Sequence, residues 1–235
     1  MKILVTGSGR SCTNWMAEIV KSCGQFHWIG VPEDRSLYMR PMLPDNYASK
    51  LATDHPSFTE ASMRMLMSRE PDLNIFWCFK HPVANVMSKI VRGQPHSKGG
   101  DKPGENVSAD GTLEMAIETV RRSWELCRIA EGLHPIAKQV MRVRLEDLIL
   151  RESVMRTKIA GFMQAERDEV NMKAFVNTPN MFHKARYGGT VHRDQTEIYQ
   201  RWQSAYDGFF RDRRDDIDKA VTALKDMCKD LEYEL

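Results

Sequence analysis

The opening residues, MKILVTGSGRSCTNWMAEIV, constrain the fold more than any other part of the chain. Ile3 to Val5 is a short apolar run of strand-forming residues, Gly7 and Gly9 interrupt it, and Thr13 to Lys21 repeats at helical spacing. A strand, a glycine turn and a helix in that order build a cradle for phosphate. The amides at the start of a helix carry partial positive charge, and glycine lets the backbone approach an anion closely. Gly9 and Cys12 line this turn, and Arg10, Ser11, Thr13 and Asn14 add donors to it.

The turn is not a Walker A loop, which requires Gly-Lys-Ser/Thr; here Ser-Gly-Arg-Ser-Cys-Thr follows Gly7. It is also a poor dinucleotide fingerprint, because Cys12 stands where Gly or Ala belongs and no acidic residue is well placed after a second strand. A second informative stretch begins at Asn74. Ile75 to Phe79 is a continuous apolar run, as expected of a parallel strand covered on both faces, and Pro82 follows where a helix begins. Lys80 is thereby placed at the carboxyl end of a strand, where open α/β sheets bind ligands, and Ser88 lies two turns into the next helix.

Composition narrows the class. With 235 residues, 42% of them hydrophobic, the chain can bury one sizeable core and is expected to form a single domain. A net charge of +2 is too small to argue by itself for a nucleic-acid partner, and none is expected, so an anion site must come from a local cluster of basic groups. No apolar run approaches the roughly 20 residues that span a bilayer, and Lys2 leads straight into the first core strand, so neither a membrane partner nor a signal peptide is expected. Cys12, Cys23, Cys78, Cys127 and Cys228 are odd in number and lack C-x-x-C spacing, which fits reduced thiols in a cytoplasm and no structural zinc.

Further along, Phe26 to Val31 reads as a second strand and Pro32 to Pro56 as a substrate-side excursion. Thr59 to Arg69 reads as a helix whose Met63, Leu66 and Met67 fill core; Leu113 to Glu131 reads as another, with Trp124 on its apolar face. Residues 93 to 112 are too polar to bury a core and are expected to form a mobile loop, either a lid over the acceptor or plain surface. Gln139 to Val143 reads as a strand and is followed by Glu146 and Asp147, carboxylates suited to a helix start. Helices are expected over residues 152 to 163, 195 to 210 and 216 to 231. A fifth strand is not evident and is sought between residues 48 and 55.

Two of these stretches together resemble the sulfotransferases. Arg10-Ser11-Cys12-Thr13-Asn14-Trp15 is similar to that family's 5′-phosphosulfate loop, a basic residue then Ser-Gly-Thr-Thr and often Trp, with Cys12 for glycine and Asn14 for threonine. Lys80-His81-Pro82 with Ser88 resembles the family's Arg-Asp-Pro and following Ser, which hold the 3′-phosphate of 3′-phosphoadenosine 5′-phosphosulfate (PAPS). Lysine keeps the charge but loses the bidentate grip of arginine. Arg144-Leu-Glu-Asp-Leu is similar to the family's Tyr-Glu-Asp-Leu, and Arg186 with Gly188 and Gly189 to its glycine-containing loop at the 3′-phosphate; a basic surface turn accounts equally well for the latter.

The resemblance implies a P-loop-like α/β fold with a mainly parallel central sheet flanked by helices on both faces. It also implies transfer of a sulfonyl group from PAPS, without a metal, to a hydroxyl or amine of a small-molecule or carbohydrate acceptor. Arg10 would stabilise the leaving group, and Trp15 would stack on adenine unless it belongs to the core. His55, within Thr53-Asp54-His55-Pro56, is similar in place to a family histidine and is the candidate base, with Glu33 and Asp34 as rivals. A non-catalytic adenosine-bisphosphate-binding module, a divergent nucleotide kinase and a thiol enzyme using Cys12 are the alternatives, the last because a helix start and Arg10 would lower the thiol's pKa.

Overall fold

The computed structural model describes residues 1–9, 11–30, 33–91, 112–133, 139–174 and 213–233. Five strands form one parallel sheet: β1 (Lys2–Gly7), β2 (His27–Ile29), β3 (Tyr47–Lys50), β4 (Leu73–Phe79) and β5 (Val140–Arg144), in the spatial order β2-β3-β1-β4-β5. The fifth strand sought in the sequence is β3. Its alternation is hidden because all four residues are buried, including Ser49 and Lys50. The helices are α1 (Thr13–Ser22), α2 (Glu60–Arg69), α3 (Pro82–Val91), α4 (Thr112–Leu133), α5 (Leu145–Leu150), α6 (Glu152–Met163) and α7 (Arg214–Asp230). The α/β architecture expected from the sequence is therefore present. The helix expected over residues 195 to 210 and nearly all of the polar loop lie outside the described residues.

Strand side chains alternate between two cores, one on each face of the sheet. Leu4, Leu73, Ile75, Trp77 and Phe79 pack with α2, α3, α4 and α7, whereas Ile3, Val5, Phe76 and Cys78 pack with α1, α5 and α6. Met63 and Met67 fill the first core beside Leu66, as their helical spacing predicts. Trp77 shows how the larger core tolerates a polar atom: it is fully buried against the edge of Phe58, ring centroids 5.9 Å apart, and its Nε1 donates to Ser123 Oγ at 3.2 Å. Burying a side chain of that size contributes about 3 kcal/mol, and the satisfied N–H keeps that gain. Trp124 lies at the rim of the same core and donates to Asp230 of α7 at 2.7 Å.

The connections decide where a ligand can sit. From β1 the chain runs through α1 on one face to β2, and after β3 it returns through α2 on the other face to β4. The neighbours β1 and β4 thus send their following helices to opposite faces, which opens a crevice at their carboxyl ends. Gly7 is needed there. Its φ is +141°, and a Cβ would stand 2.3 Å from the Cys78 carbonyl oxygen on β4.

Candidate functional site

The crevice is lined by the turn after β1 and the end of β4. Ser11 closes the turn: both its amide, at 3.1 Å, and its hydroxyl donate to the Ser8 carbonyl. Cys12 then takes a left-handed conformation, φ 62°, at the N-cap of α1 and makes no side-chain hydrogen bond to the helix start. The first turn of α1 is therefore not capped by Cys12 itself, which leaves its amide dipoles to face an anion. Thr13 is buried and Asn14 is exposed. Across the crevice, the Cys12 thiol meets the Phe79 carbonyl at 3.8 Å. Lys80 follows, only 5% exposed, with its charge felt at that thiol; Ser88 is buried on α3.

Gly9, Ser11 and Cys12 thus lie on the turn, Thr13 and Asn14 at the start of α1, Lys80 just past β4 and Ser88 on α3. Arg10, Arg186 and Gly188 lie outside the described residues. Trp15 is placed in the core between α1 and the sheet, where its Nε1 donates to the Met172 carbonyl at 3.0 Å. An indole so held has no face turned to a nucleotide.

The candidate bases differ in what they can do. His55 Nδ1 accepts the Ser57 amide at 3.2 Å and lies 2.6 Å from the Ser57 hydroxyl. In the neutral ring the proton is then on Nε2, so the lone pair a base needs is spent on its own turn. Asp34 is buried, which by itself would raise its pKa. Hydrogen bonds from Ser36, Tyr47 (2.8 Å) and Arg40 (3.2 Å) outweigh that and hold the carboxyl below its ordinary range. It is a structural anion. Glu33 accepts Lys50 Nζ at 3.0 Å and the Ala52 amide at 3.3 Å, at the end of β3.

Cys12 is not an activated thiol. Burial pushes its pKa well above the ordinary value, contact with Cys78 and the charge of Glu146 push it further, and Lys80 pulls the other way without prevailing. Glu146 instead fastens the chain: one oxygen accepts the His81 amide at 3.0 Å and the other the Tyr233 hydroxyl at 2.7 Å. Asp147 meanwhile holds the Arg144 guanidinium, at 3.0 and 3.1 Å. The acidic pair after β5 is structural, as expected of carboxylates at a helix start.

Two residues at the site escape a reading from sequence. Asp54 accepts the Gly9 amide at 3.0 Å and the Ser8 hydroxyl at 3.3 Å, and it pairs with Lys89 Nζ at 2.5 Å. Lys89 is 1% exposed. The available signal was Asn85, Ser88 and Lys89 at helical spacing, a polar stripe on a helix whose other residues are apolar. A hollow lined by Met1, Asp72, Gln139 and Lys158 lies at the opposite, amino end of the strands and touches none of these groups. Among the described residues no cluster could hold a metal ion, and no helix is long and apolar enough to cross a membrane. All five cysteines are unpaired.

The sequence matches no family model and no curated protein. Among solved structures, the chain is similar to the sulfotransferase domain from the curacin biosynthetic pathway, at 11% identity and a TM-score of 0.61, with 100% of this chain and 98% of that one covered. A second similar structure is the mouse sulfotransferase SULT7A1 complexed with PAP, at 16% identity and a TM-score of 0.48, over 83% of this chain and 68% of that one. With its parallel sheet, its helices on both faces and its glycine turn at the β1/β4 crevice, this chain has the fold of a sulfotransferase domain.

Proposed function

We propose that this protein transfers a sulfonyl group from PAPS to the hydroxyl or amine of a small-molecule or carbohydrate acceptor. What supports the reading is the glycine turn ahead of α1 beside the end of β4, where a buried lysine, Lys80, follows, with a buried serine, Ser88, on the next helix α3. An adenosine with phosphates at both its 3′ and 5′ positions needs two such anion sites. The turn fits an oxyanion in that its Gly9 amide already donates to a carboxylate oxygen, that of Asp54, at 3.0 Å. Beside it, Thr53 Oγ1 is buried without a partner among the described residues.

PAPS supplies an activated sulfur, whose bond to the 5′-phosphate oxygen breaks as the acceptor's oxygen or nitrogen forms its own bond to sulfur. The electron pair of the broken bond stays on that phosphate oxygen. In this reading Ser11, Thr13 and Asn14 hold the 5′-phosphate, Arg10 meets its growing charge, and Lys80 with Ser88 holds the 3′-phosphate. Arg186 and Gly188 are assigned to the 3′-phosphate as well. The acceptor's proton passes to a base, for which Glu33 stands at the strand end, while His55 must first release its bond from Ser57.

Calorimetry with 3′,5′-bisphosphoadenosine in the absence of magnesium tests the reading, followed by transfer of labelled sulfonate to an acceptor panel. Binding well beyond that of AMP, with turnover, supports it. Binding without turnover on any acceptor favours a non-catalytic module, and ATP binding that requires magnesium favours a kinase.

A further inference from the structure

The residues that follow α7 reach back to the carboxyl ends of β4 and β5. Glu232 takes a left-handed conformation, φ 57°, where a helix commonly ends on glycine, and the amides of Glu232 and Tyr233 donate to the Lys229 and Cys228 carbonyls at 3.2 and 2.9 Å. Arg144, at the end of β5, donates to the Leu231 and Glu232 carbonyls at 3.1 and 3.0 Å. Its guanidinium also lies 4.9 Å from the centre of the Tyr233 ring. Backbone and ring are thus both fixed, although the φ of Glu232 is unfavourable for any side chain.

The ring so placed meets His81, centroids 5.1 Å apart. Its hydroxyl donates to one oxygen of Glu146 at 2.7 Å, while the other oxygen accepts the His81 amide at 3.0 Å. Lys80 immediately precedes His81, and the Cys12 thiol ahead of α1 meets the Phe79 carbonyl at 3.8 Å. Cys12 is near enough that its ionisation is felt at Tyr233 and the charge of Glu146 is felt at Cys12. We infer that Tyr233 is a positioning residue that, through Glu146, holds the segment carrying Lys80 at a fixed separation from the turn ahead of α1, so that one bisphosphate spans both anchors. This rests on the sulfotransferase reading for the identity of that ligand. Two anchors at the right spacing bind a bisphosphate more tightly than either phosphate alone, because the second contact forms within one complex. When the spacing fluctuates that gain falls, whereas each separate contact survives. Lys80 and His81 make further contacts, so loss of Tyr233 loosens the segment without releasing it.

Calorimetry of the full chain with 3′,5′-bisphosphoadenosine, AMP and adenosine 3′-phosphate reads the gain. Tyr233→Phe keeps the ring and removes only the hydroxyl; it should lower affinity for the bisphosphate about tenfold and change either monophosphate by less than about threefold. Tyr233→Ala, which removes the ring as well, should lower it further. In a Glu146→Ala background Tyr233→Phe should add nothing to the loss, because the two side chains act as one unit. An unchanged bisphosphate affinity in both Tyr233 variants, an equal loss for all three nucleotides in a folded variant, or losses that add to that of Glu146→Ala overturns the proposal. In a second arm, without nucleotide, hydrogen exchange at the His81 amide should quicken about tenfold in Tyr233→Phe; unchanged exchange there also overturns it. If the wild type shows no preference for the bisphosphate, the sulfotransferase reading fails on its own, while the exchange arm still decides whether Tyr233 holds the segment.

Discussion

Replacing Lys80 by alanine probes the second anchor of the proposed nucleotide. Lys80 is 5% exposed at the carboxyl end of β4, so a phosphate held there is largely shielded from water. A hydrogen bond to a charged group in such a setting contributes about 1.5 to 3 kcal/mol, which corresponds to roughly 10- to 150-fold in affinity. Lys80→Ala should therefore reduce the preference for 3′,5′-bisphosphoadenosine over AMP by about that factor, with AMP binding changed by no more than about threefold. Lys80→Arg keeps the charge and restores a two-pronged grip, so it should retain most of the preference. The assay is calorimetry of the three proteins with both nucleotides, with melting temperatures checked because a buried side chain is being truncated. A preference unchanged in Lys80→Ala refutes the placement. Equal loss of both nucleotides in a folded variant also refutes it, and would move Lys80 to the shared 5′-phosphate.

Two further outcomes follow from the electrostatics. Asp34 has a folded pKa below its ordinary 3.8, so it stabilises the fold above that value and loses the contribution as pH falls through the lowered one; the difference in melting temperature between wild type and Asp34→Asn should be full near neutrality and shrink below pH 3.8. A gap that persists in acid would show that packing, not charge, is lost. The raised pKa of Cys12 keeps it a thiol at neutral pH, so alkylation followed by mass spectrometry should label it more slowly than glutathione, with the rate still climbing beyond pH 9.0. Rapid neutral labelling would restore the thiol-enzyme alternative.

Most of the sheet was legible because a parallel strand buried on both faces is written as a continuous apolar run, as in Ile75 to Phe79 and Ile3 to Val5. The glycine turn was equally plain, since strand, glycines and helix are adjacent in sequence and the physics of a helix start is local. β3 was obscure because Ser49 and Lys50 are polar yet buried, and only the neighbouring β1 and β2 make that position a strand.

Sequence alone determined the fold class, the glycine turn between β1 and α1 and the lysine at the end of β4, each of which depends on residues within a few positions of one another. Tertiary structure decided the rest. Trp15 is assigned by a partner that sequence cannot place, Met172, which lies 157 residues away. Asp54 and Lys89, 35 positions apart, meet only because the chain crosses from β3 over the far face of the sheet to β4 and brings α3 beside the β1 turn. Hydrophobic period and turn chemistry are local properties, whereas the pairing of a buried charge depends on which segments the crossovers bring together.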